Sequence, residues 1–251
     1  MLIARCEAGG RRFYAEVRDG LLYEIEGDVF GSFAATGRAV PLESARVLAP
    51  VDPGKVIGIG LNYLDHAREF KLDVPDEPIV FFKAPSSIIA HDEPIVLTSD
   101  RRTDYEGELA IIIKSAARNV PVEEAGRYIL GYSCLNDVSD RILQKKDGQW
   151  CRAKSFDTFC PLGPYIATGI DASDLAITTT VNGEVRQSSR TSQMVFGPAH
   201  LVSFCSGFMT LMPGDVIATG TTSGIGRLSH GDVVEVTVER IGTLRNPVVR
   251  V

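Results

Sequence analysis

Several features that would fix a functional class at once are missing from this sequence. Its five cysteines, at 6, 134, 151, 160 and 205, are odd in number and form no CxxC pair. Neither a disulfide framework nor a zinc knuckle is indicated. Positive charge is in deficit: 26 Lys and Arg stand against 32 Asp and Glu, a net charge of −6. A general nucleic-acid binder needs a phosphate-neutralising surplus, so nucleic acid is excluded as a partner. The longest stretch without a charged residue, 191–214, contains Gln193, Pro198, His200 and Pro213. That makes a poor membrane span, and no membrane partner is expected. The opening MLIARCEAGGRRF carries charge too early for a signal-peptide core. No internal repeat and no low-complexity segment is found. The expectation is a soluble, cytoplasmic protein.

What is present is an ordinary globular composition, 44% hydrophobic and 23% charged over 251 residues. Such a chain can bury a core without needing a disulfide or metal merely to fold. Residues 1–50 read as a small β unit. Short strands at 12–17 and 21–25 flank Asp19-Gly20, a strong hairpin signal. The turn-rich Ala49-Pro50-Val51-Asp52-Pro53-Gly54 then divides this unit from a main domain, 51–251. In the main domain, strands are expected at 55–60, 78–83, 94–97, 108–113, 128–135, 177–181, 215–219, 233–239 and 247–251. Helical patterns are fewer, at 61–70, 122–127, 137–146 and 198–208. A doubly wound fold would alternate strands with longer helices. The balance instead favours a β-rich domain with a few helices around it.

The segment Thr103-Asp104-Tyr105-Glu106-Gly107-Glu108 carries the first chemical signal. On a strand, Glu106 and Glu108 point to one face. Two like charges side by side are unfavourable unless a cation lies between them. Asp137, in Asn136-Asp137-Val138-Ser139-Asp140, also follows an apolar strand. Three carboxylates at strand ends suit a hard divalent cation, since Mg²⁺, Mn²⁺ and Ca²⁺ take oxygen ligands. A solvated edge strand with salt-bridged acids fits the same spacing, which does not choose between the two.

Lys83, Arg141 and Lys154 lie beside these acids in sequence, where an anionic substrate would need them. His66 and Glu69 are at i and i+3 of a helical segment and can touch. A carboxylate-oriented imidazole is a usual general base; a capped helix start near Asn62 or Asp65 is the bland alternative. His91, His200 and His230 have no such setting and read as structural. The glycine-rich run from Met212 to Gly226 is neither a Walker loop nor a dinucleotide fingerprint. Its backbone N–H groups and Thr221 can hold a carboxylate.

Together these elements resemble the fumarylacetoacetate hydrolase family. The motifs occur in the order GxNYxxH, FxKxPSSI, EGELAxxI, GYxxxNDVSxR, DGQWxRAKSFDTFCPLGPYI, VNGExxQ and PGDVIxTGTxxGxG, over about residues 50–251. The resemblance implies a β-rich α+β fold: a mixed β-roll catalytic domain with a small N-terminal β domain, usually in a homodimer. It assigns Glu106, Glu108 and Asp137 as Mg²⁺ or Mn²⁺ ligands. It assigns His66 and Glu69 as a catalytic dyad on a mobile lid at about 62–76, and Lys154 as a catalytic lysine near the metal. Arg141, Gln144 and Thr221 are assigned to the substrate's carboxylate and oxygens. Lys83, counted with them, is expected to support the acid cluster. Two positions depart from the family pattern: NDVSARD becomes Asn136-Asp137-Val138-Ser139-Asp140-Arg141-Ile142, and Thr222 replaces the proline of TGTPxGVG.

The activity implied is hydrolysis of a carbon–carbon bond in a 2,4-dioxo acid (an acylpyruvate) through an enolate held at the metal. Two relatives of that chemistry remain open. One is isomerisation of 2-hydroxyhepta-2,4-diene-1,7-dioate (5-carboxymethyl-2-hydroxymuconate type), as in aromatic-acid catabolism. The other is oxaloacetate decarboxylation. A non-catalytic binding module is the reading of another class, and the complete residue set argues against it.

Overall fold

Residues 109–113 are apolar on both sides of the chain, and the fold covers both sides. The computed structural model describes residues 1–70 and 73–251. In it the strand Gly107–Ile113 is wholly buried. Ala110 and Ile112 pack with Val56, Leu135 and Val216, whereas Ile111 and Ile113 pack with Ile57, Leu201 and Ile217. Alternate side chains of a strand face opposite ways, so an unbroken apolar run marks a strand buried on both faces. The helix Pro198–Phe208 covers one face through Leu201, Val202 and Cys205. Its proline sits in the first turn, where a missing N–H costs no helical bond.

This strand lies within a twelve-stranded sheet. It pairs antiparallel with Ile129–Asn136 and with Val216–Thr221. Val216–Thr221 runs parallel to Val56–Gly60, which pairs antiparallel with Ile79–Lys83. In the other direction Ile129–Asn136 pairs with Cys160–Ala167, and that strand takes Leu2–Ala8 on its far side. Arg11–Arg18, Leu21–Gly27 and Phe33–Pro41 extend the sheet from there. A five-stranded sheet and a small three-stranded sheet, Thr103–Tyr105 with Ser139–Asp140 and Gly226–Arg227, complete the β-rich α+β architecture. Parallel and antiparallel pairings occur together, as a mixed β-roll requires.

The expected hairpin at Asp19-Gly20 forms, and a second two-residue turn stands at Asn182-Gly183. Asp19-Gly20 and Asn182-Gly183 all have positive φ, the primed-turn geometry that suits twisted strands. The first fifty residues keep a small cluster of their own, Ala4, Cys6, Ala15 and Leu22, but also join the main core. Leu2 and Ile3 pair with Ala167 and Ile166, and Ile3, Ile25 and Val29 join the cluster of Ile112 and Leu162.

Some expectations need correction. The helix expected at 137–146 is Arg141–Asp147. Asp140 caps it, its carboxylate accepting from the N–H groups of Ile142 and Leu143, and Asp137 lies before it in a tight turn closed by the Val138 N–H on the Asn136 carbonyl. Residues 122–127 form a tighter 3-10 helix, Val122–Tyr128. Glu106 does not share a regular strand with Glu108; it lies between Thr103–Tyr105 and Gly107–Ile113. Among the described residues no helix is long and apolar enough to cross a membrane.

Candidate active site

Glu106, Glu108 and Asp137 converge. One carboxylate oxygen from each lies within 4.8 Å of the others, and all three residues are buried. Local pairing sets their positions. The Asn136 side chain accepts from the Glu106 N–H at 2.9 Å, and the Asp137 N–H donates to the Glu106 carbonyl at 2.8 Å. Glu108 is held from the neighbouring strand. Gly220, at φ 96°, turns its N–H onto the Glu108 carboxylate at 2.8 Å. A Cβ on Gly220 would meet that of Asn62 at 2.8 Å, so glycine is needed for both turn and space.

The cations are unevenly shared. Lys154 Nζ donates to Glu106 at 2.7 Å and to Asp137 at 2.5 Å. Lys83 Nζ donates to the other Asp137 oxygen and to the Lys154 carbonyl, both at 2.5 Å. Arg141 donates to Glu106 at 2.5 Å, to Asp104 at 2.9 Å and to the Gln144 side chain at 2.8 Å. Burial alone would raise the Glu106 carboxyl, but Arg141 and Lys154 outweigh it and hold it well below the ordinary 4.5. For Glu108, burial raises the carboxyl well above that value, and the charges of Asp137 and Glu106 push the same way. Burial opposes the charge on Lys154, yet Asp137 and Glu106 outweigh it and keep the ammonium protonated. Among the described residues no Lys, Arg or His forms an ion pair with Glu108. A buried carboxylate beside two others, offering only oxygen donors, is the electrostatic setting a hard divalent cation relieves. The three acids therefore fit such an ion.

His66 lies on the helix Leu64–Phe70 and borders the same cavity of about 690 Å³. Its Nδ1 is 3.5 Å from Glu69, whose carboxylate also accepts from the Gly224 N–H at 3.2 Å. Asp65, one residue earlier, accepts from the Ser189 hydroxyl at 2.6 Å. Burial lowers the imidazole below its ordinary 6.5, against the opposing pull of Glu106 and Glu69. Burial thus favours the neutral imidazole, the form that can accept a proton. The lid expected at 62–76 includes residues 71 and 72, which lie outside the described residues.

Arg141, Gln144, Thr221 and Lys154 line the cavity. Lys83 does not. It is 1% exposed and braces Asp137 and the Lys154 backbone, which removes it from the substrate-binding set and leaves its supporting role. The three other histidines stand away from the site. His91 and His230 accept backbone N–H groups from Arg245 and Arg250, and His200 stacks on Phe196. The departure at Asp140 supplies the helix cap and an ion pair to Arg101. Thr222 is buried against Gln187.

Several residues at the site escaped sequence reasoning. Gln187 accepts from the Gly107 N–H and donates to Thr221 and Thr222, tying the glycine-rich loop to the acid strand. The VNGExxQ motif contained it, but no local pattern gave it a role. Asp104, fully buried, joins Arg102 to Arg141. Phe81 and Trp150 form an aromatic wall in edge contact, and the Lys154 ammonium lies 4.8 Å above the Phe81 ring.

Comparison with known proteins agrees with this arrangement. Residues 55–249 match the fumarylacetoacetate (FAA) hydrolase C-terminal family, and residues 1–50 match the Rv2993c-like N-terminal family. An uncharacterised protein of Archaeoglobus fulgidus is 54% identical over 94% of this chain and 95% of its own. A Xenopus laevis mitochondrial protein named oxaloacetate tautomerase is 44% identical over 81% of this chain and 68% of its own. The crystal structure of a 5-carboxymethyl-2-hydroxymuconate delta-isomerase from Mycobacterium smegmatis superposes with a TM-score of 0.94 at 45% identity, covering both chains fully. With the family model spanning most of the chain and the acid cluster, histidine and lysine in one cavity, the chain belongs to the fumarylacetoacetate hydrolase family.

Proposed function

We propose that this protein enolises a small anionic 2-oxo acid by metal-assisted proton transfer, as a tautomerase or isomerase. The observation that carries the reading is an imidazole, His66, 3.5 Å from Glu69 and bordering the same cavity as Glu106 and Glu108, two of the three converging carboxylates. Glu106, Glu108 and Asp137 would hold Mg²⁺ or Mn²⁺, which when bound supplies Lewis-acid polarisation of the substrate's 2-oxo group. Arg141 and Gln144 orient the substrate carboxylate, and Thr221 borders the same space. His66 takes the proton from the carbon beside the 2-oxo group and returns it at a different atom. Glu69 orients the imidazole through Nδ1 and balances the charge it gains. The Lys154 ammonium adds positive charge where the enolate oxygen develops. Phe81 and Trp150 exclude water from that side. The relatives named for tautomerase and isomerase activity, at 44% and 45% identity, support the same chemistry.

Hydrolysis of an acylpyruvate is the second reading, favoured by the His66–Glu69 pair. That dyad is equally suited to draw a proton from water for attack on the far carbonyl. Decarboxylation of oxaloacetate uses the same binding but gives His66 no water to activate.

Deuterium exchange beside the 2-oxo group, followed by NMR with Mg²⁺ or Mn²⁺, separates these readings from no activity. Enolisation predicts rapid exchange without bond cleavage, lowered about 10²–10⁴-fold by His66→Ala. Absence of exchange across oxaloacetate, acylpyruvates and hydroxymuconate-type dienes would sink the proposal; cleavage of an acylpyruvate to pyruvate and a carboxylic acid would favour the hydrolase, and loss of CO₂ from oxaloacetate the decarboxylase. A homodimer belongs to the same proposal, and a monomer by light scattering at micromolar concentration contradicts it.

A further inference from the structure

His66 rides on a helix that cannot hold its own position. Leu64–Phe70 has seven residues, and an isolated helix shorter than about twelve is marginal in water. Contacts outside the helix therefore fix the imidazole relative to the acids. Its start is pinned by Asn62. That side chain donates to the carbonyls of Thr219 at 2.7 Å and Phe196 at 3.0 Å, and accepts from the Phe196 N–H at 2.8 Å. Beyond the start, two carboxylates at i and i+4, Asp65 and Glu69, share one face and bond to other elements. Glu69 meets both His66 and the Gly224 N–H, so it serves the imidazole as well as the loop. Asp65 accepts from the Ser189 hydroxyl at 2.6 Å and from the His66 backbone N–H at 2.7 Å.

Ser189 and Gln187 are two apart on the strand Glu184–Arg190. They therefore point to one face, about 7 Å from each other along the chain. Their seat is firm, because they pair with Ile177 and Thr179, both buried. Gln187 fastens the N–H of Gly107, which stands between Glu106 and Glu108. Ser189 fastens the helix of His66. One strand thus carries the acids and the base at a set separation. We propose that Ser189 is a positioning residue that acts through Asp65 to hold His66 where proton transfer beside the acid cluster needs it. This rests on the reading of His66 as the base, and adds the group that places it.

Two measurements on the full chain test it, the first independent of activity. Amide hydrogen exchange, without substrate, is followed by mass spectrometry in peptides covering 62–70 and 107–113. Ser189→Ala should raise exchange in the first about tenfold and leave the second unchanged. Ser189→Thr keeps the hydroxyl and should restore the protection. Ser188→Ala, exposed on the same strand, should change neither peptide. Asp65→Ala should loosen the helix at least as much, and adding Ser189→Ala to it should do nothing more. The second measurement is the rate of deuterium exchange beside the 2-oxo group with Mg²⁺. Ser189→Ala should lower kcat about tenfold with KM unchanged, the mark of a misplaced base rather than a lost binding contact. Equal amide exchange in wild type and Ser189→Ala, loosening that spreads to 107–113, or additivity with Asp65→Ala would each overturn the proposal. So would failure of Ser189→Thr to restore protection, or a loosened helix with kcat unchanged. Failure of the enolisation reading looks different: the wild-type protein exchanges no 2-oxo acid, while the amide pattern still decides whether Ser189 holds the helix.

Discussion

Ion pairs in the first fifty residues and ion pairs in the cavity use the same side chains under opposite conditions. Arg11–Glu24, Arg12–Glu7 and Arg38–Glu26 stand at the surface, with arginine side chains 61–67% exposed. Lys83–Asp137 is sealed, at 0% and 1% exposure. Exposed pairs gain little, because water screens them and long side chains must be ordered. Buried pairs carry a large desolvation cost and become indispensable to one another once formed. The contrast teaches that charge is not buried here for stability. An apolar packing would serve that better, so the cavity retains its charges for what they do to a ligand.

The comparison breaks most visibly at Lys83. Lys83→Met takes one of two buried cations from Asp137, leaving Lys154, and is expected to cost about 2–3 kcal/mol in denaturant unfolding; a loss under about 1 kcal/mol would place the buried pair in the surface class. Glu108 sharpens it next. Glu108→Gln removes a buried charge that has no cationic partner, so stability in chelator should hold or rise. Mn²⁺ affinity, read by calorimetry, should fall at least about tenfold. Unchanged affinity would remove Glu108 from the ligand set.

Glu106 and Glu108 also predict opposite pH slopes without metal. Glu106 lies below 4.5 when folded, so its stabilisation is complete above pH 4.5 and is lost as pH falls through the folded value. Glu108 lies above 4.5, so its burden is full at high pH and is relieved as pH falls through the folded value toward 4.5. Subtracting the Glu108→Gln curve from the wild-type curve should isolate the second slope, and a flat difference would refute it. The smallest effect belongs to the surface. Arg38→Ala, breaking its pair with Glu26, should change stability by less than about 1 kcal/mol.

The acid cluster was legible because its members sit beside apolar runs whose burial is local information. The strands around it were legible for the same reason. The strand Leu2–Ala8 escaped because Arg5 and Glu7 interrupt its apolar pattern, and Cys160–Ala167 because Pro161, Gly163 and Pro164 punctuate it as a loop would be punctuated. Asp140 looked like the interior of a helix, whereas its short carboxylate serves better as the cap. Asp104 was within the segment singled out, but its meaning depends on Arg141, 37 residues away, and no local spacing encodes that meeting. The place of Lys83 was equally non-local: motif position names a neighbour without saying on which side of the acids it lies, and it braces Asp137 from behind.

The pairing of Leu2 and Ile3 with Ala167 and Ile166 has a consequence for solubility. Those first residues cover the side of the Cys160–Ala167 strand that faces away from Ile129–Asn136. A chain starting at residue 51 would leave backbone N–H and C=O groups of an apolar strand open to any extended segment that came near. Shortened this way, the protein should associate with itself before it loses its catalytic geometry, with the small N-terminal unit acting as a guard against misassembly.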